Sequence, residues 1–531
     1  MSKSRTLDWS TAVGSSDATP TNSRIPALTI ISHPRSDRAG SRTLLDALAA
    51  GREVKLSRGS PDFSKPGELL GLPLSDPFVS RRPILLSAIG DDCIRLRAAS
   101  ESTPMVVDSQ AVETMDLTPT MISRGTVIEL AKRVVLLLHY FDRDVVAPRD
   151  SFGMIGDSTG IRRVRVAIDR IVDLHVPVLI RGETGTGKEL VARAIHERSP
   201  HRNHPFVPVN LGALPRELAA AELFGSVKGA YTGAARDRRG LFAMAHGGTL
   251  FLDEVGEAPP EIQVMLLRAL EMGEIYPVGA DLPLATHVRV IAATDANLEA
   301  KIHRGTFKAP LLHRLSGYEI RIPPLRERRE DVGALLFQFA RDELAATQEL
   351  HVLAPSEPQA KPWMPASIAA QLTRYDWPGN IRQLRNVVRQ IVIENRGQAQ
   401  VRVSPQLEIP PTSPPSIPHP ATADGSEPGT PNSGHRRRPS DVTEVELLTV
   451  LQGCGWNLSE AADLLGIPRP SLYHLIEKSP SIRKAGDLRS EEIINCFGRL
   501  NGDLDAMVAE LQVSRWGLSR RIKELGLVPG R

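Results

Sequence analysis

The chain has 531 residues, enough for three or four domains, and 41% of them are hydrophobic, so packed cores are expected. A formal net charge of +3 argues for no partner by itself, which leaves any contact with nucleic acid to local basic patches. Three cysteines far apart in sequence, Cys93, Cys454 and Cys496, suggest neither a zinc knuckle nor a disulfide framework, and aromatics at 4% speak against a stacking platform for single strands.

Residues 1–24, rich in Ser, Thr, Asp and Pro without periodicity, read as a disordered lead, and no basic-then-apolar segment resembles a signal peptide. The longest aliphatic run, residues 134–138, is too short to span a bilayer, so a soluble, cytoplasmic chain with no membrane partner is expected. Short β-branched or aliphatic runs then recur between turn signals at 28–31, 53–56, 83–86, 94–97, 105–107, 126–130 and 133–138, which predicts a β-sandwich over 25–142. Loops between the runs carry Arg58, Ser80 and Arg81. This arrangement resembles a forkhead-associated domain, a sandwich that binds phosphothreonine peptides with an Arg and a Ser from such loops. The resemblance implies a phosphothreonine protein as partner, gripped by these three residues through charge-assisted hydrogen bonds. The family's Ser-x-x-His is broken, because Pro83 stands in the His place. A sandwich that makes only protein contacts is the alternative. A receiver domain does not fit, since Asp91 and Asp92 fall late and no βαβ alternation surrounds them.

From 150 to 400 the texture becomes α/β, with apolar strand runs separated by helical periods. The run 176–180 leads into Gly182, Glu183, Thr184, Gly185, Thr186, Gly187, Lys188 and Glu189, followed by a helical pattern from Leu190. Strand, glycine loop ending in Gly-Lys, then helix is what a P-loop needs: backbone N–H groups cradle phosphates and Lys188 meets the β/γ-phosphates of ATP. Glu189 stands where that pattern asks for Ser or Thr. A second run, Gly247, Gly248, then Thr249 to Asp253 and Glu254, reads as a buried strand ending in two acids. One carboxylate, Asp253, is placed to hold Mg²⁺ and the other to polarise a water.

Between these two elements lie Gly229, Ala230, Tyr231, Thr232, Gly233 and Ala234. With that loop the chain is similar to bacterial enhancer-binding proteins, AAA+ activators of sigma-54 RNA polymerase, over about residues 150 to 400. In that family the loop reads GAFTGA and touches sigma-54; Tyr231 here takes the Phe place and keeps the ring. The resemblance implies further roles: Asn210 restrains Glu254, the second acid of that strand and the family's Walker B glutamate, Thr294 belongs to sensor I, and Arg382 is the sensor II arginine of a helical lid. The family also carries Glu at the position of Glu189. It implies ATP bound between subunits of a hexamer or similar ring, with Arg314 supplied in trans as an arginine finger. The finger segment strays from the family pattern, because Lys308 replaces an Arg and Pro310 an Asp. A Lys lacks the bidentate fork, so slowed or unusually regulated hydrolysis is an expectation.

Residues 401–440, rich in Pro, Ser, Thr and Gly and ending in a short basic run, read as a flexible linker. An internal repeat follows: Leu458, Leu465, Arg469, Leu472 and Ile476 recur as Leu504, Leu511, Arg515, Leu518 and Ile522. Each copy, 441–480 and 484–528, reads as a helix-turn-helix. The copies resemble the Fis-type module of the same activators, normally present once, which implies contact with double-stranded enhancer DNA. The candidate DNA-binding residues are Arg469, Ser471, Tyr473 and His474, and Arg515, Arg520, Arg521 and Lys523.

The fold class expected is thus multidomain: a β-sandwich, an α/β AAA+ P-loop ATPase with a helical lid, and an all-α helix-turn-helix region. The function expected is an ATP-driven activator that remodels sigma-54 holoenzyme to open promoters, regulated through its N-terminal domain. A hydrolysis-deficient DNA-bound scaffold acting with a competent relative, and a remodelling ATPase with another target, are the alternatives.

Overall fold

The computed structural model describes residues 24–402 apart from 69, 91, 231–235, 354–356 and 358, and then 442–453, 458–465, 472, 475, 476, 479, 488, 490–500, 504–511, 513, 518, 521, 522 and 525. The expected lead and nearly all of the linker lie outside the described residues. The chain divides into two units, 1–415 and 416–531.

The first unit opens with the sandwich. Its strands are β1 (Arg24–Ser32), β2 (Arg42–Leu44), β3 (Val54–Leu56), β4 (Ile84–Ile89), β5 (Cys93–Ala98), β6 (Met105–Val107), β7 (Gln110–Val112), β8 (Thr114–Leu117), β9 (Thr126–Leu130) and β10 (Val134–Asp142). They form a six-stranded sheet ordered β2-β1-β10-β9-β6-β7 and a four-stranded sheet ordered β3-β4-β5-β8. All seven runs expected from the sequence are strands; β2, β7 and β8, three or four residues each, are additional. Leu28, Ile30, Leu136 and Leu138 from the larger sheet meet Leu56, Leu86 and Leu96 from the smaller in one core.

A five-stranded parallel sheet follows, built from β11 (Val178–Arg181), β12 (Phe206–Asn210), β13 (Thr249–Asp253), β14 (Arg289–Thr294) and β15 (Tyr318–Arg321). The order is β12-β13-β14-β11-β15 and every pairing is parallel. Such strands are covered on both faces, which is why they read as continuous apolar runs. Helices α1 (Thr159–Ile171) and α2 (Lys188–Arg198) supply Ile161, Val164, Ile168, Val191 and Ile195 to one face. Helices α3 (Pro260–Met272) and α4 (Ala309–Leu315) supply Ile262, Leu266, Leu311 and Leu315 to the other. Beyond the sheet come the three helices of the expected lid, α5 (Val332–Ala346), α6 (Ala366–Arg374) and α7 (Asn380–Glu394).

Sandwich and lid share a core. Ile31, Val127, Val135 and Leu137 point away from the sandwich interior and pack with Val332, Leu335, Leu336, Phe339 and Ala369. Strands β1, β9 and β10 at the centre of the six-stranded sheet are therefore buried on both faces. Polar groups fix the same contact: Arg133 donates to Asp76 at 3.0 Å and to the Ala360 carbonyl at 2.9 Å, and the Ser36 hydroxyl donates to the Leu353 carbonyl at 3.1 Å. Arg42 reaches the Asp157 carbonyl at 3.1 Å, and Asp331 in turn accepts from the Ser158 hydroxyl at 2.6 Å and the Asp157 N–H at 2.7 Å.

In the second unit, described by itself, α8 (Glu444–Gly453), α9 (Leu458–Leu465), α10 (Ser490–Arg499) and α11 (Leu504–Leu511) surround one hydrophobic cluster.

Candidate nucleotide-binding site

The glycine loop connects the C-terminal end of β11 to the N-terminus of α2, where backbone N–H groups are free to meet phosphate. Gly185 and Gly187 have φ of +79° and +101°, a backbone that only glycine adopts without strain. Lys188 starts α2 and donates to the Gly182 carbonyl at 2.9 Å and to the Glu183 carbonyl at 3.4 Å, so its ammonium lies inside the loop. The Thr186 hydroxyl donates to the Glu183 carbonyl at 2.7 Å, and Thr184 to Asp295 at 2.5 Å. Glu189 is exposed, with its carboxylate held by Arg193 one turn on at 2.8 Å.

A cavity of about 590 Å³ opens beside this loop. Met154, Ile161, Ile322, Leu335, Phe339 and Ile381 are among its apolar lining residues, and Lys188, Glu189, Asp253, Glu254, Arg328, Arg382, Arg385 and Arg389 are its charged ones. Apolar surface for a base together with charged groups for phosphates is the lining a nucleotide needs. Asp253 closes β13, half-buried, and burial raises its carboxyl against the pull of Lys188. Glu254 follows in the left-handed region with φ +55° and ψ 43°. Its carboxylate converges with Asn210 on Gly212, where a Cβ would lie 2.4 Å from Glu254 Oε2 and 3.3 Å from Asn210 Oδ1. Asn210 also caps the turn after β12, accepting from the Ala213 N–H at 3.1 Å. Thr294 ends β14 next to β11, and its carbonyl accepts from Gly182 N–H at 3.2 Å.

The lid meets the loop at Glu183, one of the expected loop residues, through Arg326 and Asn380, which no motif in the sequence marks. Glu183 accepts from Arg326 at 2.6 and 2.8 Å and from Asn380 at 3.1 Å, and the Arg326 bonds hold its carboxyl below the usual range. Asn380 bridges further, donating to the Thr184 carbonyl at 3.1 Å and accepting from Leu325 N–H at 2.8 Å, with φ +52°. A Cβ on Gly185 would lie 2.3 Å from the Gly379 carbonyl, so lid and loop touch backbone to backbone. Arg382 sits in the first turn of α7, with its N–H aimed at the Gly185 carbonyl at 3.3 Å.

Other expectations fall elsewhere. Gly247 and Gly248 do not belong to the cavity: they precede β13, at the end of the strand opposite Asp253, and Gly248 is closed by the Pro205 carbonyl 2.1 Å from any added Cβ. They serve the turn into the strand rather than a phosphate. Arg314 stands on α4 away from this chain's own cavity, half-exposed, with Glu271 at 3.5 Å. Pro310 occupies the first turn of α4, where a missing N–H costs nothing, and Lys308 is its N-cap residue. Gly229, with φ +84° and open space around it, and Ala230 lead out of a two-residue ribbon pairing Gly225 and Ser226 with Arg239 and Arg238. Tyr231, Thr232, Gly233 and Ala234 lie outside the described residues.

In the sandwich, Arg58 N–H donates to the Ser80 carbonyl at 3.0 Å, so these two loops are adjacent. The Arg58 Nε is buried without a hydrogen-bond partner, while Arg81 is exposed. Ser80 accepts at its hydroxyl from Arg82 N–H at 3.0 Å. Of the candidate DNA-binding residues, Arg521 is described, in a helical turn. Arg469, Ser471, Tyr473, His474, Arg515, Arg520 and Lys523 lie outside the described residues. No described helix is long and apolar enough to cross a membrane.

Comparison with known proteins adds three family matches: the sigma-54 interaction domain over residues 154–321, the AAA+ ATPase lid domain over 326–405, and the Fis family of bacterial regulatory proteins over 442–478. The regulatory protein LuxO of Vibrio cholerae is 42% identical over 283 residues, 52% of this chain and 51% of that protein. The DNA-binding transcriptional regulator NtrC of Escherichia coli is 38% identical over 360 residues, 67% of this chain and 72% of that one. A crystal structure of NtrX from Brucella abortus in complex with ADP shares 28% identity, covering 71% of this chain and 70% of that one with a TM-score of 0.43. The chain spans about half the length of the first of these relatives.

Proposed function

The chain belongs to the family of sigma-54-dependent activators, and from that premise we propose that it is a DNA-bound, ATP-driven regulator that remodels sigma-54 RNA polymerase holoenzyme to open promoters. The observation that carries this reading is the convergence of Lys188, Asp253, Glu254 and Arg382 on one cavity that is also lined by apolar side chains.

Lys188 and the loop N–H groups take the phosphates of ATP, and Met154, Ile161 and Phe339 take the base. Asp253 fits a hard divalent cation: its carboxyl is raised by burial, and among the described residues no ion pair holds it. Asp253 would hold Mg²⁺, which supplies charge neutralisation for the phosphates. Glu254 orients the attacking water, and Asn210, beside it at Gly212, restrains it. Thr294 and Arg382 read the nucleotide from the sheet edge and the lid. Arg314, outside this chain's own cavity, serves a neighbour's cavity in a hexameric ring. Proline in the first turn of α4 leaves that helix intact, so the segment's departure from the family pattern does not favour a hydrolysis-silent scaffold.

The loop 229–234 then meets sigma-54, hinged at Gly229, while the C-terminal modules hold double-stranded enhancer DNA in the cytoplasm. Regulation enters through the sandwich. It packs on the lid that carries Arg382, so anything that shifts the sandwich is coupled to the nucleotide site. A phosphothreonine protein at Arg58, Ser80 and Arg81 is the signal this reading assigns, supported by the adjacency of the Arg58 and Ser80 loops and the unpartnered Arg58 Nε. The test is ATP turnover against protein concentration. Turnover that rises with assembly and is absent in Lys188→Ala is expected; turnover independent of assembly would refute the shared site.

A further inference from the structure

The second copy of the C-terminal repeat has the same architecture as the first. Helices α8 and α10 each span ten residues and α9 and α11 each span eight, and each later helix begins 46 residues after its counterpart, 444 to 490 and 458 to 504. Buried positions follow the same offset: Leu447 and Ile493, Ala461 and Met507, Ala462 and Val508, Leu465 and Leu511, Leu472 and Leu518. The Fis-family match stops at 478, so it covers the first copy alone. An offset kept through two helices, their burial and the buried helical residues Leu472 and Leu518 beyond them marks a second copy of the module.

Both copies contribute to one hydrophobic cluster, with Leu451, Leu465 and Leu472 in the same core as Ile493, Leu511 and Leu518. A module of this size lies near the lower limit, roughly 40 residues, at which a chain buries a core of its own. Sharing the core removes that limit and fixes the two modules to each other within one chain. The sequence that follows the second helix is also the more basic in the second copy: Arg515, Arg520, Arg521 and Lys523 stand between 515 and 523, against Arg469 as the one Lys or Arg between 469 and 477.

We infer that the second repeat is itself a DNA-binding module, and that each chain carries a fused pair of readers for two half-sites on one duplex. The inference rests on the DNA-binding reading of the tail. Two readers on one core bind as a single bivalent unit, so the second half-site is met at high effective concentration without a partner chain. The basic second copy supplies most of the phosphate contacts, and with them the salt dependence.

The experiment uses the full chain and a pool of random 40-base-pair duplexes. Wild type is expected to select two half-sites at fixed spacing. Arg520→Ala with Lys523→Ala, both off the shared core positions Leu518 and Ile522, is expected to lose one half-site and to lower the salt slope of binding by about two. Arg469→Ala is expected to relax the other half-site. Selection and salt slope unchanged in the double variant, with wild type binding, would overturn the inference while leaving the tail a DNA-binding region. Failure of wild type to select any duplex would overturn the DNA-binding reading and this inference with it.

Discussion

Gly333 of α5 lies so close to Ile31 of β1 that a Cβ on it would stand 2.3 Å from the Ile31 carbonyl oxygen and 2.7 Å from its Cα. A helix thus crosses an outer strand face at backbone contact, and no residue but glycine fits. Gly333→Leu is expected to improve the helix taken alone, since glycine is the poorer helix former by about 1 kcal/mol. It must nevertheless push sandwich and lid apart. Calorimetry of the variant should resolve two transitions where wild type, with its shared core, melts the two together. A melt unchanged by the substitution would show that the contact is not a structural joint.

Glu183 ties the phosphate loop to the lid through Arg326 and Asn380. Both charged partners are more than a third exposed, so water screens the pair. Glu183→Gln should therefore weaken ATP binding by about 1 kcal/mol, roughly fivefold, through a looser lid. Nucleotide titration by fluorescence measures this. Affinity equal to wild type would mean that the clamp does not position the loop.

Arg314 gives a different signature. Its distance from this chain's own cavity leaves nucleotide binding intact on substitution, whereas turnover should fall by on the order of 10³ if it completes a neighbour's site. Mixing Arg314→Ala with Lys188→Ala subunits should restore part of the turnover, because each supplies what the other lacks. No restoration in mixed rings would contradict supply in trans.

His139 makes the sandwich–lid contact sensitive to acid. Its imidazole is wholly buried, bonded to Thr29 at 2.8 Å, with Glu330 at 3.9 Å, and burial first, then the Arg42 charge, pushes it from its usual 6.5 down to about 3. The unfolded chain therefore binds a proton that the folded one refuses between those values, and stability falls as pH drops below 6.5. Burial raises Glu330 and Asp331, which works in the opposite direction above the usual carboxylate range. The His139 contribution is thus read as a difference. His139→Gln should lose less stability than wild type between pH 7 and pH 5 in urea titrations, and equal slopes would contradict it.

The sequence carried the nucleotide site because its parts are contiguous: Gly182 to Glu189, and Asp253 beside Glu254, each lie in one short segment. The clamp was not legible in the same way, since Glu183, Arg326 and Asn380 are brought together from three separate segments. One signal for the sandwich–lid contact does lie in a single segment. An antiparallel strand with a wet face alternates, whereas residues 134–138 are apolar at every position, because Val134, Leu136 and Leu138 face the sandwich core and Val135 and Leu137 the lid. Gly247 and Gly248 lie away from the cavity for a related reason. Adjacency in sequence to a catalytic strand does not place them at its catalytic end, and a five-residue strand separates the two ends by roughly 15 Å.

The activator reading rests most directly on promoter opening. Open-complex formation by sigma-54 holoenzyme on supercoiled DNA, followed by permanganate reactivity of the melted bases, tests it with purified wild type, Lys188→Ala and Thr232→Ala. ATP-dependent opening by wild type, lost in Lys188→Ala for want of nucleotide and in Thr232→Ala with turnover retained, is the expected result. Robust turnover by wild type without opening, in the presence of holoenzyme and enhancer DNA, would contradict it.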